Sequence, residues 1–423
     1  MNKLIILIVV ILIIAAGIGA FFILQKSDLP EPQVEQITNF KDCANAGYPV
    51  LQTYPPQCTT PDGKKFTESP EQEEDQTISK ISNLSLLKKV EIVNGARPEV
   101  VATRDHLFVV YRDISTKHTP SFSVRIYDKD MDKEIVYKKL VETSTKYGMP
   151  TDIRVASDGK YLYAFYEQTD GSVANLFGAK YTLNDNFERV AYTSEPIVTA
   201  PAWRKEEVGD EVLNDPIALV APNSIFVITR IYQESSSIGT PTIYRVREFT
   251  NDLKTKLSQF DLNLSDLAGA EGNARQASAY YSNGYYYMIA PTTSKSGSYA
   301  IDMTTPSDLL LVQFDKDWKI VKYKNLSENH DDIETFITGF KIYKGLFLVT
   351  YRKGKPFVAP LNIYDSNFNL LLSKIIKEEE GKSALEITDD RIYVGFSGGQ
   401  GPQYPSQSSE TPKAEIYIFE FGG

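Results

Sequence analysis

The sequence predicts an all-β fold, a six-bladed β-propeller of four-stranded antiparallel blades, over residues 80–423. Two observations predict it: a five-residue pattern recurs at intervals of 50 to 66 residues, and apolar strand-like runs flank every copy. A third is that the last unit lacks one strand, and a suitable strand precedes the first unit. Repeats that cannot bury their apolar faces alone, and whose last member closes on the first, are typical of propellers.

In the recurring pattern, an aromatic or apolar residue is followed by turn-forming residues and then by a second large apolar residue. The five copies are YDKDM (127–131), LNDNF (183–187), FTNDL (249–253), FDKDW (314–318) and YDSNF (364–368). A strand, a tight turn and a second strand form a β-hairpin. A second predicted hairpin lies upstream of each copy, so each unit has four strands. We interpret Asp130, Asp185, Asp252, Asp317 and Asn367 as turn residues.

The sixth unit has only three predicted strands, ALEIT, RIYVGFSGG and AEIYIFEF, before the chain stops at Gly423. The run SLLKKVEIV (85–93) immediately precedes the first unit and can supply the fourth strand. Such a clasp would leave no open edge in the ring of sheets. We therefore expect the last blade to be closed by an N-terminal strand.

Residues 1–26 contain 21 consecutive uncharged, apolar positions, 4–24. At about 1.5 Å per residue this run matches the ~30 Å hydrocarbon core of a bilayer. It predicts a retained transmembrane helix, with a cleavable signal peptide as the alternative. Lys3 precedes the run and acidic residues follow it, so we expect a single-pass protein of the cell membrane with a cytoplasmic N-terminus and an extracellular bulk.

The two cysteines, Cys43 and Cys58, lie in a small segment, residues 40–67, that we expect to be a separate module. No third cysteine or nearby histidine completes a zinc site, so a disulfide is the predicted pairing in an oxidising compartment. Proline-rich YPPQ and the turn PDGK leave little room for helix. Acid- and proline-rich stretches on both sides, 27–39 and 68–79, predict linkers.

The module resembles a short two-cysteine segment of exported archaeal and bacterial proteins. That resemblance is carried by Cys43, by Gly-Tyr-Pro-Val at 47–50, by Tyr54-Pro55, by Cys58, and by Pro-Asp-Gly-Lys at 61–64 followed by Phe66. It implies export of the protein and no particular chemistry.

The formal net charge of −10 opposes a nucleic-acid partner, because such partners require clustered Lys and Arg. The sequence contains no His-Glu-x-x-His motif. From the sequence we assign no catalytic residue, no metal and no cofactor.

One face of the predicted propeller carries the long loops, and such loops on a rigid scaffold usually carry function. Charged residues at the starts of the inner strands would ring the channel mouth on this face, and Trp203 could stack on a sugar or anchor a protein contact. The candidate binding residues are Arg97, Glu99, Asp152, Trp203, Arg204, Asp215, Arg275, His330, Asp331 and Arg352.

The predicted function is recognition of a glycan or protein ligand by this long-loop face. The alternative is an extracellular glycosidase, because ARPEVVATRDHLFVVYRD (96–113) resembles the first blade of sialidases, which are six-bladed. That resemblance implies an active site at the channel mouth, where Arg97, Arg275 and Arg352 would bind a carboxylate. The Ser-x-Asp-x-Gly-x-Thr-Trp signature of that family is missing from the sequence.

Overall fold

The computed structural model describes residues 37–38, 40–46, 48–51, 57–67, 84–116, 119–202, 209–231, 243–264, 267, 277–293, 307–326, 337–351, 358–378, 383–398 and 412–420. These residues belong to two compact units, divided between Ser69 and Pro70. The predicted anchor, residues 4–24, lies outside the described residues. Within the described ranges no helix is both long enough and apolar enough to span a bilayer.

The smaller unit is a disulfide-bonded module. It contains α1 (Phe40–Asn45), β1 (Val50–Leu51), β2 (Gln57–Thr59) and β3 (Lys65–Thr67), with the three strands in one antiparallel sheet. The predicted disulfide between Cys43 and Cys58 is present, and both cysteines are fully buried. The short helix is a correction: it lies before the prolines, where nothing prevents the backbone from closing a helical turn.

The larger unit confirms the six-bladed propeller. Blade 1 contains β5 (Gly95–Ala102), β6 (His106–Asp113), β7 (Ser121–Asp128) and β8 (Glu134–Val141). Blade 2 contains β9 (Met149–Ser157), β10 (Tyr161–Thr169), β11 (Val173–Thr182) and β12 (Arg189–Tyr192). Blade 3 contains β14 (Glu211–Val220), β15 (Ile225–Ile231), β16 (Ile243–Phe249) and β17 (Lys256–Asn263). Blade 4 contains β18 (Ser278–Ser282), β19 (Tyr285–Thr293), β20 (Ser307–Phe314) and β21 (Ile320–Asn325). Blade 5 contains β22 (Ile337–Tyr343), β23 (Leu346–Tyr351), β24 (Val358–Tyr364) and β25 (Leu370–Glu378). Blade 6 contains β26 (Ser383–Ile387), β27 (Arg391–Gly398), β28 (Lys413–Glu420) and β4 (Ser85–Val93).

Blade 2 has one strand that the sequence pattern did not predict. The outer strand β12 pairs with only the second half of β11, and β13 (Val198–Pro201) pairs with the first half. Two short strands therefore cover one long one. Between them the backbone amide of Thr193 donates to the carbonyl of Gly178, and the amide of Gly178 donates to Thr193 Oγ1, so β11 also has a partner at the break.

The clasp is confirmed: β4 pairs antiparallel with β28 from Ser85–Glu420 to Val93–Lys413. Glu415 of β28 binds Lys89 of β4 (Nζ–Oε1 2.8 Å) and Lys377 of blade 5 (Nζ–Oε2 2.7 Å). Burial alone would raise the pKa of Glu415, but hydrogen bonds from these two lysines lower it to about 2. The first and last strands of the ring are thus joined by a ladder and by a shared carboxylate.

The recurring turns hold neighbouring blades together. The fifth residue of each copy has a positive φ, between 42° and 66°, and its side chain is at most 9% exposed. These residues are Met131, Phe187, Leu253, Trp318 and Phe368. Each packs into the apolar cluster shared with the preceding blade. The left-handed backbone costs about 1–2 kcal/mol, and burial of a large apolar side chain offsets it.

Leu84 occupies the corresponding place in blade 6, although no turn exists there. It precedes β4, is 3% exposed and packs into the cluster between blades 5 and 6. Its carbonyl accepts a hydrogen bond from Lys374 of blade 5. Lys88 and Lys322 donate in the same way to the turn carbonyls of Met131 and Ser366 in the blades that follow theirs. Leu84, where the chain enters the propeller, therefore makes the same inter-blade contact as the turn residues of the other five blades.

We expect Leu84→Ala to lower the free energy of unfolding by about 2–5 kcal/mol, because it leaves a cavity between blades 5 and 6. Leu86→Ala, two residues away on the same strand, is the matched control. Leu86 is 54% exposed, so its truncation should change stability by about 0.5 kcal/mol or less. Urea unfolding of the detergent-purified chain measures both. Equal effects would show that Leu84 does not close the ring.

Candidate functional site

The six inner strands line a narrow central channel. A cavity of about 120 Å³ is lined by residues of all six, including Glu99, Ser157, Leu219, Tyr280, Lys341 and Leu385. Gly339 of β22 lies so close to β26 that an added Cβ would be 2.4 Å from the Cβ of Leu385. Inside the channel Lys341 binds Glu386 (Nζ–Oε2 2.9 Å). Burial alone would lower the pKa of Lys341, but Glu386 raises it.

The inner strands are irregular where they begin, at the face that carries the predicted long loops. The pairing of β5 with β6 shifts register between Ala96 and Glu99, and the pairing of β14 with β15 shifts register between Val212 and Ile217. Arg97 and Asp215 lie in these bulges and have φ angles of 52° and 59°. Bulges and left-handed residues re-aim side chains at the ends of strands. Here they bring charged side chains together at the channel mouth.

We call the resulting group the mouth cluster. Its members come from blades 1, 2 and 3 and are Arg97, Glu99, Arg112, Asp152, Arg154, Glu167 and Asp215. Four of them, Arg97, Glu99, Asp152 and Asp215, are among the ten residues predicted from sequence. The predicted residues Trp203, Arg204, Arg275, His330, Asp331 and Arg352 lie outside the described residues.

Two arginines connect the three blades. Arg97 of blade 1 donates from Nη1 to Asp152 Oδ2 (2.6 Å) and to the carbonyl of Thr151 (3.2 Å), both in blade 2. Arg154 of blade 2 donates to Glu99 of blade 1 and, from Nη2, to Asp215 Oδ1 of blade 3 (3.2 Å). The carboxylates are 1% to 9% exposed, so these ion pairs are buried and not a solvated rim.

The charges of this network depend on one another. Burial alone would lower the pKa of Arg97, but Asp152 and Asp215 together raise it. Asp152 also accepts hydrogen bonds from the backbone amides of Asp215 (3.2 Å) and Ile153 (3.1 Å). Removing one partner of a buried pair leaves an uncompensated charge, which typically costs about 3–5 kcal/mol. The network therefore fixes blades 1, 2 and 3 relative to one another at the mouth.

Glu167 is the cross-strand partner of Asp152 and is 3% exposed. Burial and, to a smaller extent, the adjacent Asp152 carboxylate raise its pKa to about 7. Two like charges directly opposite each other in a sheet are unfavourable. Near neutral pH Glu167 therefore exchanges a proton while Asp152 is held by three donors.

Sequence reasoning missed Arg112, Arg154 and Glu167. A usable signal was present, because Arg112 and Glu167 are charged residues that directly follow the largely apolar runs of β6 and β10. Each lies six residues after the residue whose carbonyl closes the preceding turn, His106 or Tyr161, so they occupy equivalent positions. Arg154 follows Asp152 by two residues, the spacing that puts two side chains on the same face of a strand.

Comparison with known proteins was made for the whole chain. No family model matches the sequence, and no curated protein matches it significantly. Among solved structures, the phage phi92 endosialidase is similar over 81% of this chain and 69% of its own, with 9% identity and a TM-score of 0.50. The similarity shows a shared fold.

Two further solved structures have lower TM-scores. The Trypanosoma rangeli sialidase is similar over 77% of this chain and 55% of its own, with 9% identity and a TM-score of 0.48. The subtype N10 neuraminidase-like protein of A/little yellow-shouldered bat/Guatemala/060/2010 is similar over 79% of this chain and 99% of its own, with 12% identity and a TM-score of 0.44.

The pKa of Glu167 predicts a pH-dependent effect on stability. A carboxyl group whose folded-state pKa is raised stabilises the fold fully below its unfolded pKa, near 4.5, and loses this contribution as pH rises through about 7. Glu167→Gln imitates the protonated form. At pH 8.5 we expect it to stabilise the chain by roughly 2–3 kcal/mol, and at pH 5 by much less.

Glu188→Gln is the control for this measurement, because Glu188 is an exposed carboxylate of the same blade. It should give the same small change at both pH values. Thermal unfolding of the wild-type chain and both variants at pH 5 and pH 8.5 provides the test. A Glu167→Gln chain that is equally destabilised at both pH values would contradict a buried, proton-exchanging carboxyl group.

Proposed function

We propose that this protein is a membrane-anchored extracellular propeller that binds a polar ligand, a glycan or a protein, at the face bearing the mouth cluster. The observation that carries the proposal is the cluster itself. Burying the three carboxylates Glu99, Asp152 and Asp215 is expensive, and both Asp215 and Arg97, the partner of Asp152, have left-handed backbone. Buried charge and strained backbone at the mouth of a channel are typical of sites that recognise ligands.

The path of the chain also supports a binding site at the face of the mouth cluster. Leu84 lies at the face of the short recurring turns, β4 runs from Ser85 to Val93, and β5 begins two residues later at the mouth. The segment that precedes the propeller therefore joins it at the face opposite the mouth cluster. If residues 4–24 anchor the chain, a ligand can approach the mouth from the side away from the attachment point.

A glycosidase is the second candidate, and the pair Glu167 and Asp152 favours it. Two carboxyl groups with different protonation states are what retaining and inverting glycosidases require. Against it, both groups are at most 3% exposed, and Asp152 is already bound by three donors. Arg97 is bound to Asp152 and is not available to a substrate carboxylate. We therefore favour binding without catalysis.

Topology is tested on intact cells. Protease added outside should release a soluble fragment slightly smaller than the full chain, because the acid-rich segment 68–79 carries no predicted structure to protect it. The same fragment should be absent without protease. A chain that stays intact until the cells are lysed would place the propeller on the other side of the membrane.

Ligand binding is tested with the full chain in detergent on glycan and protein arrays. We expect hits whose binding is lost in Trp203→Ala and Arg275→Ala, two candidates from the predicted long loops. Asp317→Asn is the control, because Asp317 lies in an exposed turn on the opposite face. Fluorogenic glycosides, sialosides included, test the alternative in parallel. Binding that is lost only in Asp317→Asn would assign the ligand to the opposite face, and turnover would assign catalysis.

A further inference from the structure

One cation of the mouth cluster differs from the others in its bonding. Arg112 is the penultimate residue of β6, and its Nε is shielded from solvent yet has no hydrogen-bond partner among the described residues. Within the described residues its guanidinium forms no ion pair, whereas Arg97 and Arg154 bind carboxylates of neighbouring blades. Buried polar atoms without a partner are rare in folded proteins, and a bound ion or ligand is a common explanation.

The charges around Arg112 are those of Arg97, Asp152 and Glu167. Burial and, to a smaller extent, the positive charge of Arg97 lower the pKa of Arg112, while the charges of Asp152 and Glu167 oppose the shift; the net pKa is about 10. Asp152 already accepts hydrogen bonds from Arg97 and from the backbone, and Glu167 is largely protonated below pH 7. No nearby carboxylate is therefore placed to neutralise Arg112.

We propose that Arg112 is a binding point for a carboxylate group of the ligand, at the boundary between blades 1 and 2. This inference rests on the proposed function and specifies the chemistry of the ligand. The guanidinium fork matches a carboxylate, and a negative charge there relieves the repulsion between Arg112 and Arg97. A monoanion fits best, because Arg112 is a single cation and the carboxylates Glu99, Asp152 and Asp215 are bound by Arg97 and Arg154.

The chain offers a matched pair of arginines for the test. Arg112→Gln removes the proposed binding point, and Arg104→Gln removes an exposed arginine from the opposite face of the same blade. Arg112→Lys keeps the charge but loses the planar fork. Because the Arg112 side chain has no hydrogen-bond or ion-pair partner among the described residues, Arg112→Gln should unfold at or above the wild-type melting temperature, which separates a binding defect from a folding defect.

The experiment measures binding of acetate and of its neutral isostere acetamide to the full chain in detergent at pH 6, by calorimetry and thermal shift. Sodium chloride at equal ionic strength is the reference. We expect wild type to bind acetate and neither acetamide nor chloride. Arg112→Gln should bind acetate at least tenfold more weakly, Arg112→Lys should show an intermediate loss of affinity, and Arg104→Gln should show none. D-glucuronate and N-acetyl-L-glutamate then show whether the carboxylate is recognised on a sugar or on an amino acid.

Equal responses to acetate, acetamide and chloride would overturn the inference, and so would undiminished acetate binding by Arg112→Gln. A destabilised Arg112→Gln chain would also contradict it, since Arg112 would then have a structural partner. Array ligands that bind Arg112→Gln and wild type equally would leave the proposed function intact and refute only the carboxylate site. Acetate binding at Arg112 without any array ligand would support the carboxylate site and contradict the proposed function.

Discussion

The propeller depends on one repeated contact, the insertion of an apolar side chain from each outer turn between two blades. Met131, Phe187, Leu253, Trp318 and Phe368 adopt left-handed backbone in order to reach the preceding blade. A blade has an apolar face on either side, and neither face is stable in water without a neighbour. In the sixth blade Leu84 makes the contact from the chain entry, so the ring closes without a covalent turn.

The mouth cluster and the recurring turns lie on opposite faces of the propeller. The described residues of blades 1, 2 and 3 carry the mouth cluster, whereas at the turn face, between blades 3 and 4, Trp318 packs against Phe226, Phe260 and Tyr286. A buried ion pair is a weak source of stability compared with apolar packing of the same volume. The cluster is therefore a poor source of stability for its size, and it holds its charges in fixed positions on neighbouring blades.

A shared propeller fold does not carry a shared activity. The described part of the mouth differs from a site built to bind an anion with several free arginines, because Arg97 and Arg154 are bound to carboxylates of the protein itself. Glu167 and Asp152 resemble a catalytic pair in their protonation and differ from one in their lack of exposure. These details separate binding from glycoside hydrolysis more sharply than the overall fold does.

The sequence alone determined the blade count, the four-strand repeat, the clasp by residues 85–93 and the disulfide. Each follows from local patterns: strand periodicity, turn residues and cysteine spacing. It also placed Arg97, Glu99, Asp152 and Asp215 near one mouth, because equivalent strand starts must meet there. Only the tertiary structure decided that the three carboxylates are buried, that Arg97 binds Asp152, and that Arg154 binds Glu99 and Asp215. It also decided that Glu167 lies opposite Asp152 and that the Arg112 side chain has no hydrogen-bond or ion-pair partner among the described residues. Those facts depend on bulges that shift the register by one or a few residues and on contacts between blades more than fifty residues apart, for which a single sequence carries no periodic signal.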